Sequence, residues 1–254
     1  MLFSIIIASL AVSLVSFVGL TLLIKKKTLK DHQLNWFISL AIGTMLATVF
    51  IHLLPELAGQ NLLSFETASL IILASILGFF IFEIILQWHH CREDECSKPD
   101  KRSKSQLIYM TLVGDSIHNF VDGALIASSF LVDFRLGIIV TFTIIVHEIP
   151  QEFSDIGILL FAGMSKFNAL FWNFISALVA IVGAILAYYF SQSVSYLTPV
   201  LLAIAAGNFI YLAAADLIPE IHHQRERKRL VQSATIILVG IIIVAVLNTF
   251  LSVE

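Results

Sequence analysis

Apolar residues in this chain come in long uninterrupted runs, not in the alternations or narrow stripes of a soluble fold. The runs are about 20 residues long, enough for a helix to cross roughly 30 Å of hydrocarbon. They predict eight spans, near 1–24, 34–58, 63–88, 107–131, 136–162, 167–190, 198–220 and 230–251. The breaks between them are short and polar, and no separate soluble domain fits in any of them. Residues 1–254 are therefore expected to form one transmembrane domain, with a loop over 89–106 between the third and fourth spans. The expected fold class is an all-α polytopic membrane protein with eight transmembrane helices.

Composition supports this. The chain is 58% hydrophobic and 13% charged, whereas soluble domains carry about 25% charged residues. The first apolar run, Met1 to Ile24, has no basic residue before it and Lys25, Lys26 and Lys27 after it. A cleavable signal peptide has the opposite order, so this run is expected to stay as a span. The two cysteines, Cys91 and Cys96, do not make a disulfide framework.

Charge placement predicts the orientation. Of the 15 Lys and Arg residues, all but Arg135 fall in odd-numbered loops. Basic loops stay cytoplasmic. The chain is therefore expected to lie in the cell membrane with its odd loops inside and both termini outside. A weak internal repeat is also visible. The second span ends in His52-Leu53-Leu54-Pro55-Glu56 and the seventh in Asp216-Leu217-Ile218-Pro219-Glu220. The two spans run in opposite directions, as inverted repeats of secondary transporters do; coincidence in Leu-rich sequence is the competing explanation.

Ionisable groups inside a span are expensive and normally face a cavity or the bundle interior. The fourth span carries Asp115, His118, Asn119 and Asp122, which share one helical face. The fifth carries His147, Glu148, Gln151, Glu152 and Asp155. Both clusters lie near the middle of their spans, and the spans are joined by a short loop, so the clusters are expected to meet at one depth. Imidazole with carboxylate oxygen suits Zn²⁺, Fe²⁺ or Mn²⁺, and the lack of thiolate there argues against Cu⁺. Pro150, inside the fifth span, frees the carbonyl of Val146, which is tolerable where polar groups or water line a cavity.

Other candidates are peripheral. Met45 can offer a thioether to the central cluster or simply pack. His52 and Glu56 suit an entrance, and Asp216, Glu220, His222 and His223 an exit; headgroup solvation of the helix ends is the alternative. In the loop, His89, His90, Cys91 and Cys96 can capture a soft divalent ion, but their spacing matches no standard zinc module, and a solvated loop remains open.

His118-Asn119-Phe120-Val121-Asp122-Gly123, followed by His147-Glu148-Ile149-Pro150-Gln151-Glu152, resembles the paired signature of the ZIP family of metal transporters. The resemblance covers essentially the whole chain. It implies inverted three-helix repeats around helices 4 and 5, with a central site that is binuclear in some members. It also implies that His118, Asn119, Asp122, His147, Glu148 and Gln151 are metal ligands, with Glu152 adjacent. Two departures stand out. Gln151 replaces a more usual Glu or His, and the candidate for a bridging Glu in the sixth span is the neutral Asn173. One main transport site is therefore expected.

The expected function is zinc uptake into the cytoplasm by alternating access, with iron, manganese and cadmium as further cargo. No enzymatic activity and no organic cofactor are expected. The expected partners are divalent metal ions and the lipid bilayer, not nucleic acid, and a homodimer is left open. Three other functions fit less well. An intramembrane metalloprotease needs a second His where Gln151 stands. A haem carrier using His118 and His147 leaves the carboxylates unexplained. A proton pathway accounts for Asp115 and Asp122 but not for the His, Asn and Gln mixture.

Overall fold

The computed structural model describes residues 1–17, 31–59, 62–88, 101–222 and 227–251. Lys25, Lys26, Lys27, Lys30, the loop residues His89, His90, Cys91 and Cys96, and His223 and Arg225 lie outside the described residues. Among the described residues every regular element is a helix. A backbone without water satisfies its own donors and acceptors this way.

In chain order the helices are α1 (Leu2–Ser13), α2 (Asp31–Ala47), α3 (Leu54–Gly59), α4 (Phe65–Trp88), α5 (Lys101–Val132) and α6 (Phe134–Phe161). They continue with α7 (Lys166–Ala177), α8 (Val179–Ser193), α9 (Leu197–Tyr211), α10 (Ile218–His222) and α11 (Arg227–Leu251). Among the described residues six segments are long and apolar enough to cross a membrane: Leu34–Gly59, Phe65–Ile85, Phe134–Phe161, Lys166–Ser193, Leu197–His222 and Arg227–Leu247.

Two predicted spans fall outside that set for identifiable reasons. α5 is 32 residues long, but its basic first turns and its Asp115, Asn119 and Asp122 lower its hydropathy. α1 is only 12 residues long, and part of the predicted first span lies beyond the described residues. α5 also starts at Lys101, inside the loop expected over 89–106. The predicted sixth span is interrupted at Leu178, which separates α7 from α8.

Helical geometry also departs from regularity at two matched places. Six-residue π-helical segments, Thr48–Leu53 and Leu212–Leu217, join α2 to α3 and α9 to α10. Each is followed at once by a Leu or Ile, then Pro, then Glu. A proline ring crowds the carbonyl four residues before it, and a widened turn relieves that crowding.

The register continues back along both helices to Gly43 in α2 and Gly207 in α9. Gly43 lies against Ile237 and Gly240 of α11, where an added Cβ would sit 2.2 Å from the Ile237 carbonyl oxygen. Gly207 lies against Ile72 and Ser75 of α4, where a Cβ would sit 2.6 Å from the Ile72 oxygen. Small residues let helix backbones meet in this way where no hydrophobic drive holds them together.

α5 and α6 are joined through Asp133 and pack on each other, and α8 packs along α5. At the end of α6, Gly163 takes a left-handed conformation (φ 96°). The Met164 and Gly163 amides donate to the Leu159 and Leu160 carbonyls at 3.1 and 3.0 Å, ending the helix in a Schellman motif. Apolar side chains dominate the helices' outer faces, and the apolar core encloses a buried polar cluster. Leu70, Leu73, Leu77 and Ile81 of α4 are exposed, while Asp115, Asn119, Asp122, His147, Glu148, Glu152 and Asn173 are buried. That inversion fits a chain whose solvent is lipid.

Candidate metal centre

Near the middle of α5, His118 and Asp122 lie one turn apart, and His147 and Glu148 lie at the matching height on α6. The His118 and His147 Nε2 atoms are 3.3 Å apart. His147 Nε2 is 3.1 Å from Asp122 Oδ2 and 3.7 Å from Glu148 Oε1. His118 Nε2 is 3.6 Å from the same Asp122 oxygen and 3.5 Å from the same Glu148 oxygen. All four ligand atoms lie within 4.8 Å of one another. A zinc ion with ligands at about 2.0–2.1 Å in a tetrahedron needs ligand-to-ligand edges of roughly 3.3 Å. Five of the six edges, at 3.1–3.7 Å, lie around that value.

Protonation is set by the next contacts outward. His147 Nδ1 lies 3.2 Å from the Thr143 carbonyl oxygen. A carbonyl only accepts, so Nδ1 carries the hydrogen and Nε2 turns its lone pair into the cluster. Both Asp122 oxygens and Glu148 Oε1 are buried without a hydrogen-bond partner. Buried carboxylates are otherwise paired or bound to a cation. The ring of Phe209 in α9 lies edge-on to His147, with centroids 5.6 Å apart.

The remaining sequence candidates divide. Asn119 Nδ2 donates to the Asp115 carbonyl oxygen at 3.1 Å and to Asp115 Oδ1 at 2.8 Å. Ser176 donates to the other Asp115 oxygen, and Asn173 donates to Glu152. Asp115, Asn119 and Glu152 thus belong to a neighbouring polar cluster shared with α7, where the Asn119 and Asn173 side-chain Oδ1 atoms have no hydrogen-bond partner.

A cavity of about 700 Å³ touches His118, His147, Gln151 and Met45 and extends to Asp216 and Glu220. Asp216, Glu220 and His222 are exposed. His52 and Glu56 lie on the Thr48–Leu53 segment and α3, away from this cavity, each partly buried.

Sequence reasoning passed over Glu83 of α4. It lines the same cavity near Asp216 and accepts a hydrogen bond from Tyr211. It is a carboxylate within a predicted span, toward its end, so the rule that found Asp115 and Asp122 also applies to it. Asp155 also lines the cavity.

A bundle of apolar helices around a His and carboxylate cluster defines a multi-pass membrane protein built to handle a cation. A sequence model of the ZIP zinc transporter family matches residues 87–248, and the chain belongs to that family of membrane metal-ion transporters. It is 27% identical over 255 residues to the zinc transporter ZIP13 of Mus musculus, covering 86% of this chain and 71% of that protein. It is 33% identical over 162 residues to the zinc transporter ZIP13 homolog of Drosophila melanogaster, covering 62% and 46%. Human zinc transporter ZIP10 is 32% identical over 144 residues, covering 54% and 17%.

Proposed function

We propose that this chain carries zinc into the cytoplasm through one main site made by His118, Asp122, His147 and Glu148. The observation that carries this reading is that five of the six ligand-to-ligand edges among two imidazoles and two carboxylates are 3.1–3.7 Å. Fe²⁺, Mn²⁺ and Cd²⁺ tolerate the same donors and are candidate competitors. Asn119, Gln151 and Glu152 act as secondary ligands, Asn119 and Glu152 reaching the ion only when their bonds to Asp115 and Asn173 give way.

The architecture proposed is eight spans, counting α1 with the chain that follows it as the first and α5 as the fourth. The inverted repeats around α5 and α6 are supported by the matched π-helical segments, the Pro55 and Pro219 pair, and the Gly43 and Gly207 contacts. The placement of basic residues supports odd loops inside, both termini outside and insertion in the cell membrane. On that orientation the cavity opens to the cytoplasm. Zinc enters past His52 and Glu56, is held between α5 and α6 near Met45, and leaves past Asp216, Glu220, His222 and His223. His89, His90, Cys91 and Cys96 lie on the cytoplasmic side, where they can take up released metal.

One experiment tests metal and direction together. Proteoliposomes are sorted by an impermeant thiol reagent, which marks native Cys91 and Cys96 or a cysteine placed at Ser252. Zinc should accumulate in vesicles whose Ser252 face is outward, and manganese, iron and cadmium should compete to different degrees. Accumulation only in the opposite vesicles would reverse the direction, and none in either would end the transport reading.

Gln151 lies one turn beyond His147 and lines the cavity beside it. A carboxamide is a poor ligand next to imidazole or carboxylate. Gln151→His or Gln151→Glu is therefore expected to tighten zinc binding by on the order of tenfold, equivalent to about 1.4 kcal/mol. Calorimetry giving equal or weaker binding in both variants would remove Gln151 from the ligand set.

A further inference from the structure

The contact that joins the first π-helical segment to the metal centre is a pair of hydroxyls. Thr48, the first residue of Thr48–Leu53, has its Oγ1 2.7 Å from Oγ1 of Thr143 on α6. Both side chains are fully buried. Thr143 is also the residue whose carbonyl accepts from His147 Nδ1. The segment is therefore bonded to the same turn of α6 that fixes the imidazole.

The matched segment shows what happens where this side of the bundle is open. In the common register Thr48 corresponds to Leu212, Leu53 to Leu217 and Glu56 to Glu220. Leu212, Leu217 and Glu220 line the cavity. Thr48 and Leu53 are instead fully buried. One π-helical segment walls the open path, and its counterpart is packed against α6 and α9.

We propose that the Thr48–Thr143 pair is a positioning latch. It closes the central site on the His52 side, holds the turn of α6 that orients His147, and parts when the site turns to that side. This rests on the alternating-access reading above. Thr48 and Thr143 do not touch the metal; they act through His147 and through the packing of Thr48–Leu53.

The test places a cysteine at Leu53 in a chain whose Cys91 and Cys96 are replaced by Ser, and follows its reaction with an impermeant maleimide from the His52 face in metal-free buffer. Leu53 is fully buried, so the parent should react slowly. Removing one hydroxyl takes away a bond made only in the sealed state. Thr48→Val and Thr143→Val should therefore each speed labelling by roughly three- to tenfold and lower the apparent KM for zinc on that face by a similar factor. Thr48→Ser and Thr143→Ser keep the hydroxyl and should behave as the parent. So should Thr141→Val, because the Thr141 hydroxyl bonds within its own helix to the Gly137 carbonyl.

A purely structural role would lower melting temperature and expression without a faster reaction at Leu53 or a lower KM. Should Thr48→Val fail to insert, Thr143→Val reads the same bond from the other helix. Parent-like labelling and KM in the valine variants, or equal shifts in Thr141→Val, would overturn the latch. His118→Ala in the same background separates the two proposals, since full zinc uptake there would remove the central site while the metal-free labelling result still decides the latch.

Discussion

His118→Ala and Asp122→Ala are each expected to reduce zinc uptake by at least 10- to 100-fold, roughly the loss seen when only a supporting partner of a metal ligand is removed. Both proteins should still insert. His118 sits 3.3 Å from His147 Nε2, and Asp122 Oδ2 sits 3.1 Å from the same atom, so either change opens one vertex of the cluster. Asp122→Ala also removes the only negative charge that α5 contributes to the four-ligand set. Initial-rate uptake at matched membrane expression is the measurement. Near-normal rates in either variant would show that the ion passes elsewhere.

A second large effect is expected from Gly123, one residue beyond Asp122. An added Cβ there would lie 1.8 Å from the Ala180 carbonyl oxygen and 2.6 Å from its carbon. These are backbone atoms of α8, which no rotamer change can move aside. Gly183 of α8 makes the reciprocal approach, with a Cβ falling 2.1 Å from the Phe120 carbonyl oxygen. Gly123→Ala must force α5 and α8 apart along the segment that carries His118 and Asp122. It should cost about 1–3 kcal/mol or more, as overpacked cores do, and lower uptake with it. Gly78→Ala is the matched control, because nothing lies within 4 Å of a Cβ at Gly78. Thermal unfolding in detergent should separate the two variants clearly. Equal melting temperatures would mean that α5 and α8 do not meet as described.

Much of this was legible because a membrane makes polar residues conspicuous. His118, Asp122, His147 and Glu148 stand out in apolar runs, and spacings of three and four put their neighbours on shared faces. The all-helical, multi-pass class followed from run length alone. Which of the seven candidates share one focus was not legible. Asn119 is adjacent to His118 in sequence, yet a rotation of about 100° per residue turns it toward Asp115 and α7, a partner that only tertiary packing supplies.

The π-helical segments were equally hidden, since hydropathy does not distinguish a four-residue from a five-residue hydrogen-bond step. The Leu-Pro-Glu and Ile-Pro-Glu pair marked their ends without revealing them. Gly43 and Gly207 fall in the same register, but the pattern gives no sign that each meets another backbone. The break at Leu178 left no trace either, because Ala177-Leu178-Val179 is as apolar as an unbroken span.

The most direct test of the central claim is zinc-edge X-ray absorption on the purified protein with Cys91 and Cys96 replaced by Ser. Bound zinc should show a shell of nitrogen and oxygen at about 2.0–2.1 Å that includes two imidazoles. His147→Ala should remove one of them, and His118→Ala the other. A spectrum with no imidazole scattering, or one unchanged by both substitutions, would contradict a site built from His118, Asp122, His147 and Glu148.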